Sequence, residues 1–188
     1  MIRASKNDKE LVLDILTASF AENKSVNYII KPDRKRRKRM RSLMSYSFDI
    51  CMMFGEVYLS NDSKACALIL FPEKKRFTIK ATLLDIKLVI NCIGLDRVGK
   101  AMNRENLIKS QYPLVPFYYL WFIGVFPSEQ GKGTGSFLLQ EVINESEKLS
   151  KQIYLETSTL KNIPWYTKFG FKIYHELDFG YKLMMLSR

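Results

Sequence analysis

Histidine, cysteine and acidic side chains are the scarce groups in this chain. Its one histidine, His175, and three cysteines, Cys51, Cys66 and Cys92, lie far apart, with no C-x-x-C pairing. They offer no plausible ligand set for zinc and no disulfide framework, so no metal site is expected. No apolar run approaches the ~18 residues of a membrane-crossing helix. No secretory leader opens the chain. With an odd cysteine count, these absences predict a reducing, cytoplasmic setting and no membrane partner. Internal repeats and low-complexity segments are missing as well. What is present is a 188-residue chain of 47% apolar composition, enough to bury one good core and too short for two ordinary domains. A single domain over residues 1–188 is the expectation.

The shortage of acid is uneven. Against 19 Asp and Glu stand 30 Lys and Arg, a net charge of +11, and residues 31–41 alone carry eight basic residues with only Asp33 to offset them. Cations are disfavoured near the positive end of a helix. A basic run at a helix start therefore invites reading as an anion or nucleic-acid contact. The alternative is a solvated first turn whose side chains splay into water. No RNA-binding signature accompanies the run, and its aromatic neighbours are the sparse pair Tyr28 and Tyr46, so a nucleic-acid partner is not expected.

The most informative stretch is YYLWFIGVFPSEQGKGTGSFLL, residues 118–139. Eight residues rich in aromatic and β-branched side chains, Tyr118 to Val125, suit a strand covered on both faces, and Pro127 ends it. Then come Gln130, Gly131, Lys132, Gly133, Thr134, Gly135 and Ser136, followed by Phe137, Leu138, Val142 and Leu149 at helical spacing. Glycines at a helix start let an anion, typically phosphate, approach the unpaired first N–H groups. The turn lacks the Gly-Lys-Ser/Thr ending of a P-loop, and the third glycine of a dinucleotide fingerprint would fall on Ser136. What remains, Gln130-x-x-Gly133-x-Gly135, resembles the GNAT acyltransferase superfamily, which holds the coenzyme A pyrophosphate on a Q/R-x-x-G-x-G/A turn after a long central strand.

A second block extends the resemblance. Tyr154 to Ser158 reads as a short strand, and Asn162-Ile163-Pro164-Trp165-Tyr166 then leads to Phe169-Gly170-Phe171. An Asn, an aromatic-Tyr pair on a short helix and a Gly-Phe opening the next strand look like the GNAT signature. The wording LETSTLKNIPWYTKFGF is similar to the puromycin N-acetyltransferase-like branch. That branch commonly enters its central strand with a histidine; here Phe117-Tyr118-Tyr119-Leu120 stands in that place. The histidine's role is therefore not carried over, and the antibiotic is not presumed to be the substrate.

Elsewhere, helical spacing predicts helices over about Lys6 to Glu22 and from Asp33, as cap, to Phe54. The apolar face of the second is Met40, Leu43, Met44, Ser47, Phe48 and Cys51. Asn23 to Pro32 reads as loop. Glu56 to Leu59 and Ala65 to Phe71 read as a hairpin around Asn61-Asp62-Ser63. Thr78 to Asn91 and Asp96 to Ser110 look helical, and Phe171 to Leu177 pairs with Tyr181 to Leu186.

The resemblance implies an α+β sandwich, with a mixed, mostly antiparallel central sheet flanked by helices and a helical insertion before the central strand. It also implies acetyl-CoA as co-substrate and direct attack by an amine, a small molecule or a peptide, in a ternary complex. Coenzyme contacts would come from residues 130–136, from Asn162 and from backbone N–H groups at Ile123, Gly124 and Val125, with Gly124 the expected bulge. Tyr166 would be the general acid. Glu156 is the first choice for base or water-relay orienter, and Glu22 the second. Phe20, Glu22, Tyr28 and Phe117 are candidates for the acceptor wall. A non-catalytic coenzyme-binding module and a nucleic-acid binder built on residues 31–41 are the alternatives. Oligomeric state, a dimer included, is not legible.

Overall fold

The computed structural model describes residues 1–188. Its strands are β1 (Ile2–Arg3), β2 (Gly55–Leu59), β3 (Ala65–Leu70), β4 (Tyr118–Val125), β5 (Ile153–Thr157), β6 (Lys172–Asp178) and β7 (Lys182–Ser187). They form one sheet in the order β1-β2-β3-β4-β5-β7-β6. Every neighbouring pair is antiparallel except β4 and β5, which run parallel. Seven α-helices accompany the sheet: α1 (Lys9–Ser19), α2 (Lys24–Ile29), α3 (Arg36–Phe54), α4 (Ile79–Leu88), α5 (Val98–Lys109), α6 (Thr134–Lys148) and α7 (Ile163–Lys168).

Side-chain alternation along the strands divides the interior in two. On one face α1 and α3 bury Ile15, Leu16, Met44, Phe48 and Cys51 against Tyr119 and Phe122. On the other, Leu138, Leu139 and Val142 of α6 and Tyr166 of α7 pack against Tyr118, Leu120 and Leu155. Leu16 and Met44 are fully buried, and truncating such a side chain to alanine costs about 2–5 kcal/mol. All six residues expected on the apolar face of the second helix are buried.

Several features depart from the sequence reading. Residues 23–32, expected as loop, contain α2, which Asn23 caps by accepting from the Val26 N–H at 3.0 Å. The edge strand β1 was unexpected; two residues are too few to show a period. The bulge expected at Gly124 lies elsewhere. Leu68 pairs with Phe122 and Ile69 with Leu120, which leaves Trp121 without a partner and turns it to the same face as Phe122.

Gly124 has a different reason to be glycine. A Cβ there would meet Ser19 Oγ at 2.9 Å and Leu16 Cδ2 at 3.1 Å, because α1 lies directly on the strand. Ser19 Oγ is fixed in place, donating to the Ile15 and Val125 carbonyls at 2.6 and 2.9 Å. Gly124→Ala is therefore expected to lower unfolding free energy by about 1–3 kcal/mol, read as a shift in urea midpoint at constant m-value.

The insertion of α4 and α5 is tied back at several places. Lys31 N–H donates to the Cys92 carbonyl at 3.1 Å, and Arg104, buried on α5, donates to Tyr181 Oη at 3.0 Å and to Ser25 Oγ. Asp33 does not cap α3 directly; it accepts from the Lys35 N–H at 2.9 Å and pairs with Arg39, whose hydrogen bonds hold its carboxyl down at about 2. That pair places one negative charge at the positive end of the helix.

Candidate active site

Strands β4 and β5 stay together for only two positions, Tyr118 with Ile153 and Tyr119 with Tyr154. Beyond Tyr119 they separate, and the β5-side edge of β4 has no strand partner. The Phe126 N–H donates to the Lys64 carbonyl at 3.0 Å. Alternation along an antiparallel ladder then turns the backbone groups of Ile123 and Val125 toward the gap and those of Gly124 toward β3. The Val125 carbonyl accordingly accepts from Ser19 Oγ and, at 3.3 Å, from Gln130 Nε2.

The glycine turn stands at the end of this gap. Gly131 and Gly133 have φ of +78° and +91°, and a Cβ at either would meet nothing within 4 Å. Backbone conformation, not crowding, demands glycine at both. Gly135 is different: its Cβ would lie 3.1 Å from Val125 Cγ2, so it permits close seating of α6 on β4. Gly133 is the N-cap of α6, with no side-chain cap and no acid in the first turn. The first amides are therefore open to an external acceptor. Lys132 pairs with Glu129 at 3.3 Å beside the turn.

A cleft of about 640 Å³ joins these parts. The sequence-designated residues Ile123, Gly124, Val125, Gln130, Gly131, Gly133, Gly135, Ser136, Asn162 and Tyr166 line it, together with Phe20 and Glu22 from the α1–α2 loop. Ser19, Asn23, Thr159, Lys161 and Trp165 line it too and were not singled out. Trp165 donates from Nε1 to Ser136 Oγ at 2.9 Å, joining α7 to the start of α6. Lys161 has no ion-pair partner and supplies positive charge to the cleft. No group of His, Cys, Asp and Glu is arranged to hold a metal ion.

Tyr166 is 6% exposed, with its ring against Trp165 and Phe171 at centroid distances of 4.7 and 5.6 Å. Its hydroxyl has no partner in the protein and is not among the sealed polar atoms, so it opens to the cleft. Burial pushes the phenol pKa up, keeping the proton on at neutral pH.

Glu156 lies on the other side of the sheet. It alternates with Leu155 and shares the face of Tyr154, below α5. Its Oε2 accepts from Tyr119 Oη at 2.6 Å, while Oε1 is buried without a partner. Burial raises its pKa to about 7, against the opposing hydrogen bond from Tyr119. Glu156 and Tyr166 thus sit on opposite faces of the sheet, on either side of the point where β4 and β5 separate.

Besides Glu156 and Lys132, three designated residues do not line the cleft. Phe117 is buried among Tyr112, Tyr119 and Tyr154. Tyr28 packs on Phe179 and Tyr181 beneath Lys100 Nζ. Thr134 is the first residue of α6, behind the open turn.

Residues 87–173 match the family model described as an acetyltransferase (GNAT) domain. Over those residues, a little under half of the chain, the sequence is similar to GNAT acetyltransferases, and the sheet and glycine turn agree with that likeness. Similar curated proteins include an uncharacterized N-acetyltransferase of Schizosaccharomyces pombe, 43% identical over 54 residues that cover 29% of this chain and 22% of that protein. A probable serine/threonine-protein kinase of Dictyostelium discoideum is 24% identical over 191 residues, covering 90% of this chain and 20% of that protein. The chain spans about a fifth of the length of these relatives. Among solved structures, histone acetyltransferase HPA2 and related acetyltransferase from Corynebacterium glutamicum superposes with a TM-score of 0.68 at 16% identity, over 98% of this chain and 93% of that one. At that identity the likeness is one of fold.

Proposed function

We propose that this chain is an N-acyltransferase that moves an acetyl group from acetyl-CoA to an amine by direct attack in a ternary complex. The observation that carries this reading is the adjacency, in one cleft, of an uncapped glycine turn, the unpaired edge of β4 and the hydroxyl of Tyr166. The donor set fits an anionic diphosphate: free amides at the start of α6, no side chain filling the turn, and Lys161 nearby. The coenzyme supplies the activated acetyl thioester. Everything else falls to the chain's own groups.

The backbone N–H groups of Ile123 and Val125 face the gap, where they can orient the pantetheine arm and polarise a carbonyl oxygen. Asn162 lies beside them on the cleft wall. Tyr166 holds a proton ready for the departing sulfur. On the opposite face Glu156 removes the amine's proton, directly or through a water. With a pKa of about 7 it is a far stronger base than an ordinary carboxylate. Glu22, on the rim, is paired with Arg36 at 3.3 Å and has a largely exposed side chain. The wording of residues 155–171 supports placement in the puromycin N-acetyltransferase-like branch, with Tyr119 in the region where that branch carries its histidine.

The test is calorimetry with coenzyme A, followed by thiol release from acetyl-CoA across small amines, aminoglycoside-like amines and peptide amines. Coenzyme binding with thiol release for at least one amine is the expected result. Binding without release for any amine would leave a coenzyme-binding module, and absence of binding would end the proposal.

A further inference from the structure

Helix α4 is apolar on two sides. Ala81, Leu84 and Leu88 pack toward the core. Facing away, Ile79, Leu83 and Ile86, with Ile90 in the π-helical turn that continues α4, are 75%, 52%, 50% and 62% exposed, and Phe77, just before the Thr78 cap, is 85% exposed. At about 100° per residue these four aliphatic positions fall within an arc of about 60°. Single exposed apolar residues are ordinary, but a continuous stripe of large ones marks an interaction surface.

The flank of that stripe is basic. Lys80 and Lys87 make no ion pair, and Lys87 shares a cleft with Lys38 of α3. Arg39 Nη1 donates to the Asn91 carbonyl at 3.2 Å, holding the start of α3 against the turn that follows α4. Within residues 31–41, Lys31, Arg36, Arg39 and Arg41 are consumed in ion pairs. Arg34, Lys35, Arg37 and Lys38 are exposed and make none. Lys38, one of the unneutralised cations of the basic run, therefore meets the flank of the apolar stripe at Lys87.

We propose that the outer face of α4 and the start of α3 form one surface that docks on an anionic lipid bilayer, with the aliphatic stripe at the acyl boundary and the cations among the headgroups. Charge decides between occupants. A second copy docked on the same patch would bring two basic flanks together. A nucleic acid would satisfy the cations but could not bury Ile79, Leu83, Ile86 and Ile90, which are aliphatic and offer no stacking face. Side chains this exposed form a ridge, whereas a peptide helix needs a groove. No helix is long and apolar enough to cross a membrane, so the contact is peripheral.

The experiment is co-sedimentation of the full chain with vesicles of phosphatidylcholine alone and of phosphatidylcholine and phosphatidylserine in equal parts. Partition onto the anionic vesicles is expected to be at least about a hundredfold stronger, since each Lys or Arg near such a surface contributes a factor of about five and about three of them suffice for that ratio. Both L83D/I86D and R37E/K38E are expected to reduce it at least about tenfold, with unchanged circular dichroism and melting temperature. Three results would each overturn the proposal: equal or no binding to the two vesicles, anionic binding that survives L83D/I86D, or self-association abolished by L83D/I86D without lipid binding.

Discussion

Tyr166→Phe is expected to lower kcat for acetyl transfer about a hundredfold while leaving coenzyme affinity within about twofold. The geometry makes this substitution clean. The ring is held by Trp165 and Phe171, and phenylalanine keeps those contacts. The hydroxyl has no protein partner, so its loss strands no buried donor or acceptor and stability should change by under about 1 kcal/mol. What disappears is a protonated group facing the cleft, whose burial holds its proton firmly until a strong base forms beside it. A departing thiolate is such a base. Turnover by thiol release at saturating amine, with coenzyme affinity by calorimetry on the same preparation, separates the two quantities. An unchanged kcat would remove Tyr166 from the chemistry, and a parallel loss of affinity would make it a binding residue.

The parts legible in the sequence are those with strong local periodicity or obligatory glycine. β4 occupies the residues its apolar run predicts, Tyr118–Val125, and the six designated apolar positions of α3 are buried. The positive φ of Gly131 and Gly133 is what a glycine turn at a helix start calls for. What the sequence hides is long-range pairing. Trp121 is unpaired because of its register with β3, set some fifty residues earlier in the chain. Tyr28 leaves the cleft because Phe179 and Tyr181 capture it from the far end of the chain. The basic run looks uniform in sequence, yet Asp14, Glu10 and Asp96 neutralise part of it through contacts no local rule foresees. Asn23, Thr159 and Lys161 reach the cleft as loop residues whose position depends on how α2 and α7 are seated, and the sequence carries no comparable mark for them.

Glu156→Gln is expected to reduce kcat/KM at least about a hundredfold and, in the opposite direction, to stabilise the fold as pH rises. The wild-type rate should climb with pH to a plateau through an apparent pKa of about 7, because only the ionised carboxylate accepts a proton; the variant should lack this limb. The folded carboxyl titrates near 7 against an ordinary value of 4.5, so between those two values the native state holds a proton that the unfolded chain has released. Stability is then lost as pH rises through this window, by about 3 kcal/mol when complete, and is flat above it. Glutamine can still accept from Tyr119 through its amide oxygen and has nothing to ionise. The melting temperature of the variant relative to wild type should therefore rise between about pH 5 and pH 7 and then level off. Thermal melts across that range together with the pH-rate profile give two independent readings of one ionisation: a constant difference in melting temperature would show that burial does not raise Glu156, and a rate limb that persists in the glutamine variant would assign the base to another group.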